Sequence, residues 1–432
     1  MSRRRQGQDG RTPVPPPASS RRLGAALRAG GGNAALNLLA VAGMTLAFAP
    51  FDAWALAYVA LMPWVAALAM GQSTRRTLLS ATLAGAVFWC VNLYWLTWIT
   101  LPGYLALAGY LSLYWLIAAA VLRAWARRRG PLWLILPIVW TSLEFARAYV
   151  ISGFPWYFLA HTQYARIPLI QIADATGQYG VSFFVALVNG AFADAILAWR
   201  ARRDGEPAGV RRWAAGFVVA GVMLAAMWGY GTWRLGQPAT SDGPVIGLVQ
   251  EAIPSRLDGT NLSPAESFER YCRDSLALAP SRCDAIAWSE AILRGVNPEF
   301  LSAAERGSPS LRQAMARYFT GEPLEEYSDR ALSAAWGRLM KEKAQTTDRI
   351  ARLASKDLGC AIFIGASALR YDPGENDWRE FNSVLLFDAA GRVVGEYDKV
   401  HPVPFSEYVP FAQSWPWLHR TLRSLVPPVM SL

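Results

Sequence analysis

Between Ala34 and Arg234 long apolar stretches alternate with short polar breaks, each stretch about as long as a bilayer-crossing helix, roughly 17 to 25 residues. Seven transmembrane helices are expected, at 34–50, 53–70, 77–98, 103–126, 131–150, 177–199 and 212–234. Only Pro50, Phe51 and Asp52 separate the first two. After Pro244 the period changes. VIGLVQ (245–250), AIAWSE (285–290), CAIFIGAS (360–367), NSVLLFD (382–388) and VVGEYDK (393–399) predict β-strands, and residues 263–280 and 334–356 predict helices. Strands alternating with helices predict a layered α/β domain. Gly391 between two apolar runs predicts an antiparallel hairpin of the last two strands. Three regions follow: a basic disordered tail at 1–33, a membrane domain at 34–234, and an α/β domain at 244–432.

Composition agrees with a membrane class: of 432 residues 53% are hydrophobic, 19 are Trp, and only 17% are charged. The net charge of +10 would suit nucleic acid if the basic residues formed one patch. They do not. Arg3, Arg4, Arg5, Arg11, Arg21, Arg22 and Arg28 lie in the tail, and later arginines recur at 75–76, 127–129, 200–203 and 211–212, in every second loop. The loops around Asp52, around Pro102 and from Ile151 to Thr176 carry no positive charge beyond Arg166. The positive-inside rule therefore expects a cytoplasmic N-terminus, and seven crossings put everything after Arg234 on the exported side. Nucleic acid is not expected as a partner. Nor is a cleavable signal peptide, because about 33 basic, Pro/Gly-rich residues precede the first apolar span. Cys272 and Cys283 could pair in an oxidising compartment or remain free thiols; with His161, His401 and His419 the only histidines, neither a metal nor a cofactor is expected.

Candidate chemistry lies at strand ends. Glu290 closes one predicted strand and Lys399 another, the edge from which α/β sheets present groups to a crevice. A proline-bracketed loop runs from the lysine to Glu407. In the membrane domain, Glu144 and Arg147 are three apart and expected to pair on one helix face. SGFPWYFLAHTQY (152–164) reads either as an interfacial aromatic belt or as the lipid-facing wall of a site. Ser182 and Asn189 in GQYGVSFFVALVNGAFA (177–193) read as helix-packing positions.

YDKVHPVPFSEYVPF (397–411) resembles the Y-x-K-x-x-L-V-P-F-G-E-Y-x-P signature of the bacterial apolipoprotein N-acyltransferases, whose exported domain belongs to the nitrilase, or carbon-nitrogen hydrolase, superfamily. AIAWSEA is similar to that family's strand ending in W-P-E, EFNSVLLFD to its Y-N-S strand, and VIGLVQEAIP to its first strand. The two membrane-domain stretches quoted above are similar to its motifs as well. The resemblance implies a helical membrane bundle followed by an αββα sandwich, and a Glu-Lys-Cys triad. Glu290 would be the general base and Lys399 the cation that stabilises tetrahedral intermediates. Glu407, Tyr408 and Asn382 would support them. It implies transfer of an acyl chain from a membrane phospholipid, through an enzyme thioester, to the N-terminal diacylglyceryl-cysteine amine of an apolipoprotein. It also implies a monomer in the bacterial inner membrane, crossing it many times, without cofactor.

The family's nucleophilic cysteine lies about fifty residues beyond the lysine. This sequence ends at Leu432, 33 residues after Lys399, with no cysteine in that segment and without the family's eighth span. The expectation is a truncated sequence with no nucleophile, an incomplete sandwich and an unstable exported domain. Cys360 is expected as a small buried core residue. Ser289 and Leu293 stand where prolines are usual, Pro402 and Ser406 replace a leucine and a glycine, and residues 295–344 are expected to be a surface insertion. An inactive lipid- or lipoprotein-binding homologue and a membrane-tethered amidase are the alternatives.

Overall fold

The computed structural model describes residues 18–71, 73–98, 101–205, 210–238, 240–252, 263–305, 329–372, 377–403, 408–409, 411 and 414–425. Backbone contacts divide the chain into two units, Met1–Ala239 and Thr240–Leu432.

The first unit is helical. Its elements are α1 (Ala18–Ala47), α2 (Ala57–Ala60), α3 (Met62–Met70), α4 (Thr74–Asn92), α5 (Leu101–Arg127), α6 (Leu132–Tyr149), the short α7 (Ile167–Ile170) and α8 (Ala173–Thr176), α9 (Gln178–Arg203) and α10 (Val210–Leu235). Among the described residues three helices are long and apolar enough to cross a membrane, Leu101–Arg127, Gln178–Arg203 and Trp213–Leu235; two apolar segments, Asn33–Ala47 and Trp54–Met70, are shorter. Trp64 is fully buried against Trp115 and Trp140, with ring centroids 5.1 and 6.1 Å away in edge-on contact.

The stretch 53–70, expected as one span, is a 3₁₀ turn (Trp54–Leu56) followed by α2 and α3. Pro63 has no N–H and its ring disrupts the preceding turn, so the helix breaks at Leu61. Such a break in an apolar setting leaves backbone groups that hydrocarbon cannot satisfy. Asn189 on α9 satisfies them: its Oδ1 accepts from Leu61 N (2.8 Å) and Met62 N (3.1 Å), and its Nδ2 donates to Ala57 O (2.7 Å). Asp194, one turn further along α9, accepts from Leu132 N and Trp133 N and caps the start of α6. Arg123 closes the other end of α3, donating to Leu68 O (2.5 Å) and Gly71 O (2.7 Å).

The second unit is an α/β layer. A six-stranded sheet has the order β1-β2-β4-β5-β6, from β1 (Ile246–Val249), β2 (Ala285–Trp288), β4 (Ala361–Asp372), β5 (Asp377–Phe387) and β6 (Val393–Asp398), with β3 (Leu293–Arg294) beside β4. β1, β2, β3 and β4 run parallel; β4, β5 and β6 run antiparallel, with β5 and β6 forming the expected hairpin. Helices α11 (Pro264–Ala277), α12 (Pro298–Glu305), α13 (Asp329–Arg352) and α14 (Pro416–Leu425) complete it. Ser263 and Glu266 form a reciprocal capping box at the start of α11, with Pro264 in the first turn.

Period-two alternation gives the sheet two unlike faces. Ile362, Ile364, Ala366, Leu385 and Phe387 point to one side, fully buried with Phe268, Tyr271 and Cys272 of α11 and Ile350 of α13. Leu248, Val384 and Tyr397 on the other side are exposed. The described residues thus supply one sheet layer with its helical cover.

Candidate active site

Glu290 stands just past the end of β2, on a loop folded onto its neighbour. Ile292 N donates to Gly365 O of β4 (2.9 Å), and a Cβ at Gly365 would lie 2.2 Å from Ser289 O and 2.6 Å from Glu290 Cα. Only glycine admits that approach. Ala291 takes up a left-handed conformation (φ 55°), which turns the chain directly after the glutamate. Ser289, in place of the usual proline, bonds Tyr271 Oη of α11 through its hydroxyl at 3.0 Å and so ties the loop to the helical layer.

Lys399 follows β6 directly, its backbone N–H donating to Asn382 O at 2.8 Å. Its Nζ lies 2.8 Å from Glu290 Oε1, and Asn382 Nδ2 donates to that same oxygen at 2.5 Å. Glu290, Lys399 and Asn382, distant in sequence, therefore meet at one carboxylate oxygen. The glutamate side chain is 61% exposed and the lysine 29%, so the pair faces open space. A carboxylate held this way can accept a proton, and the adjacent ammonium can stabilise a developing oxyanion.

The structure does not bring every expected residue to this point. Tyr408 is exposed, on a short bridge, and among the described residues makes no hydrogen bond to Glu290. Glu407 lies outside the described residues. All four cysteines are free thiols. Burial pushes the Cys272 thiol up to about 11 and raises that of Cys360, so neither is suited to act as a thiolate. Cys360 is buried in the core at the start of β4, as expected.

In the helical unit the expected Glu144–Arg147 pair is not hydrogen-bonded to itself, because each residue serves the following loop. Glu144 Oε1 accepts from Leu159 N (2.9 Å) and Trp140 Nε1 (3.0 Å). Arg147 donates to Phe154 O (3.2 Å) and Trp156 O (2.6 Å), and its guanidinium lies 4.7 Å from the Phe158 ring centroid. The two residues thus pin an aromatic segment. Its Pro155, Trp156, Tyr157, His161 and Tyr164 line, with Phe48 and Ala49, an open cleft of about 360 Å³. Ser182 accepts from Ala160 N and Asn189 repairs the break described above, so both are more than packing positions.

Sequence reading missed Gly365, although an isolated glycine in a strand signals close backbone approach. It also missed Arg370, which carries no local signal.

Residues 40–191 match the family described as apolipoprotein N-acyltransferase N-terminal domain, and residues 235–416 match carbon-nitrogen hydrolase. Among curated proteins the chain is similar to the apolipoprotein N-acyltransferase of Geobacter metallireducens, 30% identical over 86% of this chain and 63% of that protein. The enzyme of that name from Rhodopirellula baltica is 29% identical over 89% of this chain and 68% of its own length. That of Agrobacterium fabrum is 27% identical over 62% of this chain. The chain thus spans about two thirds of the length of the first two relatives and 41% of the third.

Proposed function

The chain belongs to the apolipoprotein N-acyltransferases, carrying their N-terminal domain followed by a carbon-nitrogen hydrolase domain, and on that footing we propose that it serves acyl transfer at the exported surface of a bacterial inner membrane. The donor is a membrane phospholipid. The acceptor is the α-amine of a diacylglyceryl-cysteine at the N-terminus of a lipoprotein, reached through a thioester on the enzyme. The N-terminus is cytoplasmic, seven spans cross the membrane, and the α/β unit is exported as a monomer.

Glu290 is the general base, taking the thiol proton on acylation and the amine proton on transfer. Lys399 stabilises the oxyanion of each tetrahedral intermediate. Asn382 orients the carboxylate, and Glu407 and Tyr408 support the lysine-bearing loop. The resemblance assigns the nucleophile to a thiol, and the buried, raised thiols of Cys272 and Cys360 do not fit that part.

The observation that carries this reading is the convergence of Lys399 Nζ and Asn382 Nδ2 on Glu290 Oε1. The test replaces Glu290 by Gln or Lys399 by Ala in the full-length protein and follows acyl transfer from phospholipid to a diacylglyceryl peptide. Transfer is expected to fall by roughly 10²- to 10⁴-fold with membrane insertion intact. Undiminished transfer in either variant overturns the assignment.

A further inference from the structure

Behind the candidate site, on the opposite face of the sheet, lies a second charged cluster. Arg370 of β4 pairs with Asp398 of β6 through two contacts, Nη1 to Oδ2 at 2.5 Å and Nη2 to Oδ1 at 3.0 Å. Its Nη2 also lies 2.7 Å from Glu396 Oε1, and its Nε 3.6 Å from Glu299 Oε2 of α12. The guanidinium lies 4.9 Å from the Phe381 ring centroid on the intervening β5, and Ser383 Oγ donates to Asp398 Oδ1 at 2.7 Å. One arginine thus joins three neighbouring strands.

Cross-strand partners share a face, so the register separates cluster from site. Ala368 is opposite Phe381, and Ser383 is opposite Asp398, on the helix-covered face. Ser367 is opposite Asn382 on the other face, to which the side-chain position of Gly365 also points, against the Glu290 loop. Asn382 therefore sits between two cluster residues, Phe381 and Ser383, and Lys399 immediately follows a third. Among the described residues β6 lies at the edge of the sheet, and Asp398 is its last residue in register. Just beyond it Lys399 N donates to Asn382 O of β5. The end of a strand at a sheet edge is prone to fray unless side chains fix it.

We propose that the Arg370 cluster fixes the end of β6 against β5, which makes Arg370 and Asp398 positioning residues for Lys399. A planar guanidinium gripping a carboxylate at two points sets direction as well as distance, which a single charge contact does not. The residue gripped is the one directly before the lysine. The cluster reaches the chemistry through the sheet and touches no reacting atom. The proposal rests on Lys399 being the catalytic cation.

The test reads Lys399 itself. The full-length protein in detergent is pulsed with an acetylating reagent, and modification of Lys399 is measured by mass spectrometry against the exposed Lys341 and Lys356 as internal standards. Asp398→Asn and Arg370→Gln are each expected to raise Lys399 labelling about 3- to 10-fold, and the double variant no further than either alone, since both break one clamp. Acyl transfer should lose kcat with KM unchanged. Lys399 labelling at the wild-type rate in Asp398→Asn, the nearly isosteric change, overturns the proposal even if Arg370→Gln fails to fold. Additive increases in the double variant overturn it as well. If Lys399→Ala retains full transfer while the clamp variants still raise labelling, the catalytic reading fails and the clamp stands.

Discussion

The core of the helical unit and the candidate site of the sheet unit treat their ionisable and amide side chains in opposite ways. In the helical unit Asn189, Glu144 and Arg147 are at most 4% exposed, and each is bonded to main-chain groups left open by a break or a loop. In the sheet unit Glu290 and Lys399 are 61% and 29% exposed and bonded to each other. The contrast has a physical source. A polar group in an apolar bundle is costly unless it is hydrogen-bonded, so its partner is a structural necessity. An ion pair at a wet sheet edge contributes little to stability and is free to change partners when a substrate arrives. Burial thus marks the polar residues that build, and exposure at a strand end marks those available to react.

The largest effect that would sharpen this contrast is catalytic. Glu290→Gln and Lys399→Ala should lose roughly 10²- to 10⁴-fold in transfer while shifting unfolding by no more than about 0.5 kcal/mol. A variant that unfolds the α/β unit would break the comparison. Next comes Asn189→Leu, which strands the N–H groups of Leu61 and Met62. A loss of about 3 kcal/mol is expected by denaturation in mixed micelles, and an unchanged midpoint would mean the break is satisfied some other way. Smaller is a matched pair of helix caps. Asp194→Ala removes the acceptor at the start of α6 and Ser263→Ala the one at the start of α11, each costing about 1 kcal/mol in a neutral setting. The first should exceed the second, because water can replace a lost partner only at the exposed helix end.

The smallest effect is one of pH. Burial pushes the Asp398 carboxyl up, but hydrogen bonds from Arg370 and Ser383 outweigh it and leave the group below its ordinary value of 3.8. A carboxyl depressed on folding stabilises the native state above that ordinary value and loses the contribution as pH falls through its own lower one. The stability difference between wild type and Asp398→Asn should therefore be present at pH 6 and shrink below about pH 3.8. A difference that does not change with acid would count against the clamp.

Much of this architecture is legible from local patterns, and the illegible parts share a cause. The five predicted strands form because apolar, β-branched runs have one use in a chain of this kind, and Glu290 and Lys399 stand out because they end such runs. The arm that carries β4 on to Asp372 and begins β5 at Asp377 is not visible, since Arg370 and Arg379 interrupt the apolar alternation there. The broken second span is half visible. Pro63 announces a disruption, but the amide that makes it tolerable lies 128 residues away on another helix. Arg370 is invisible for the same reason, its partners lying on other elements. Local period reveals elements; it does not reveal what one element supplies to another.

The repair of that break also has a direction in time. A chain is made from its N-terminus, so Leu61 is made before Asn189, which follows 128 residues later. At about 5–20 residues per second that interval is roughly 6 to 26 s. Throughout it the second apolar segment lacks the side-chain amide that completes it in the fold. The contact that satisfies the break is therefore a late one, made only once α9 is present.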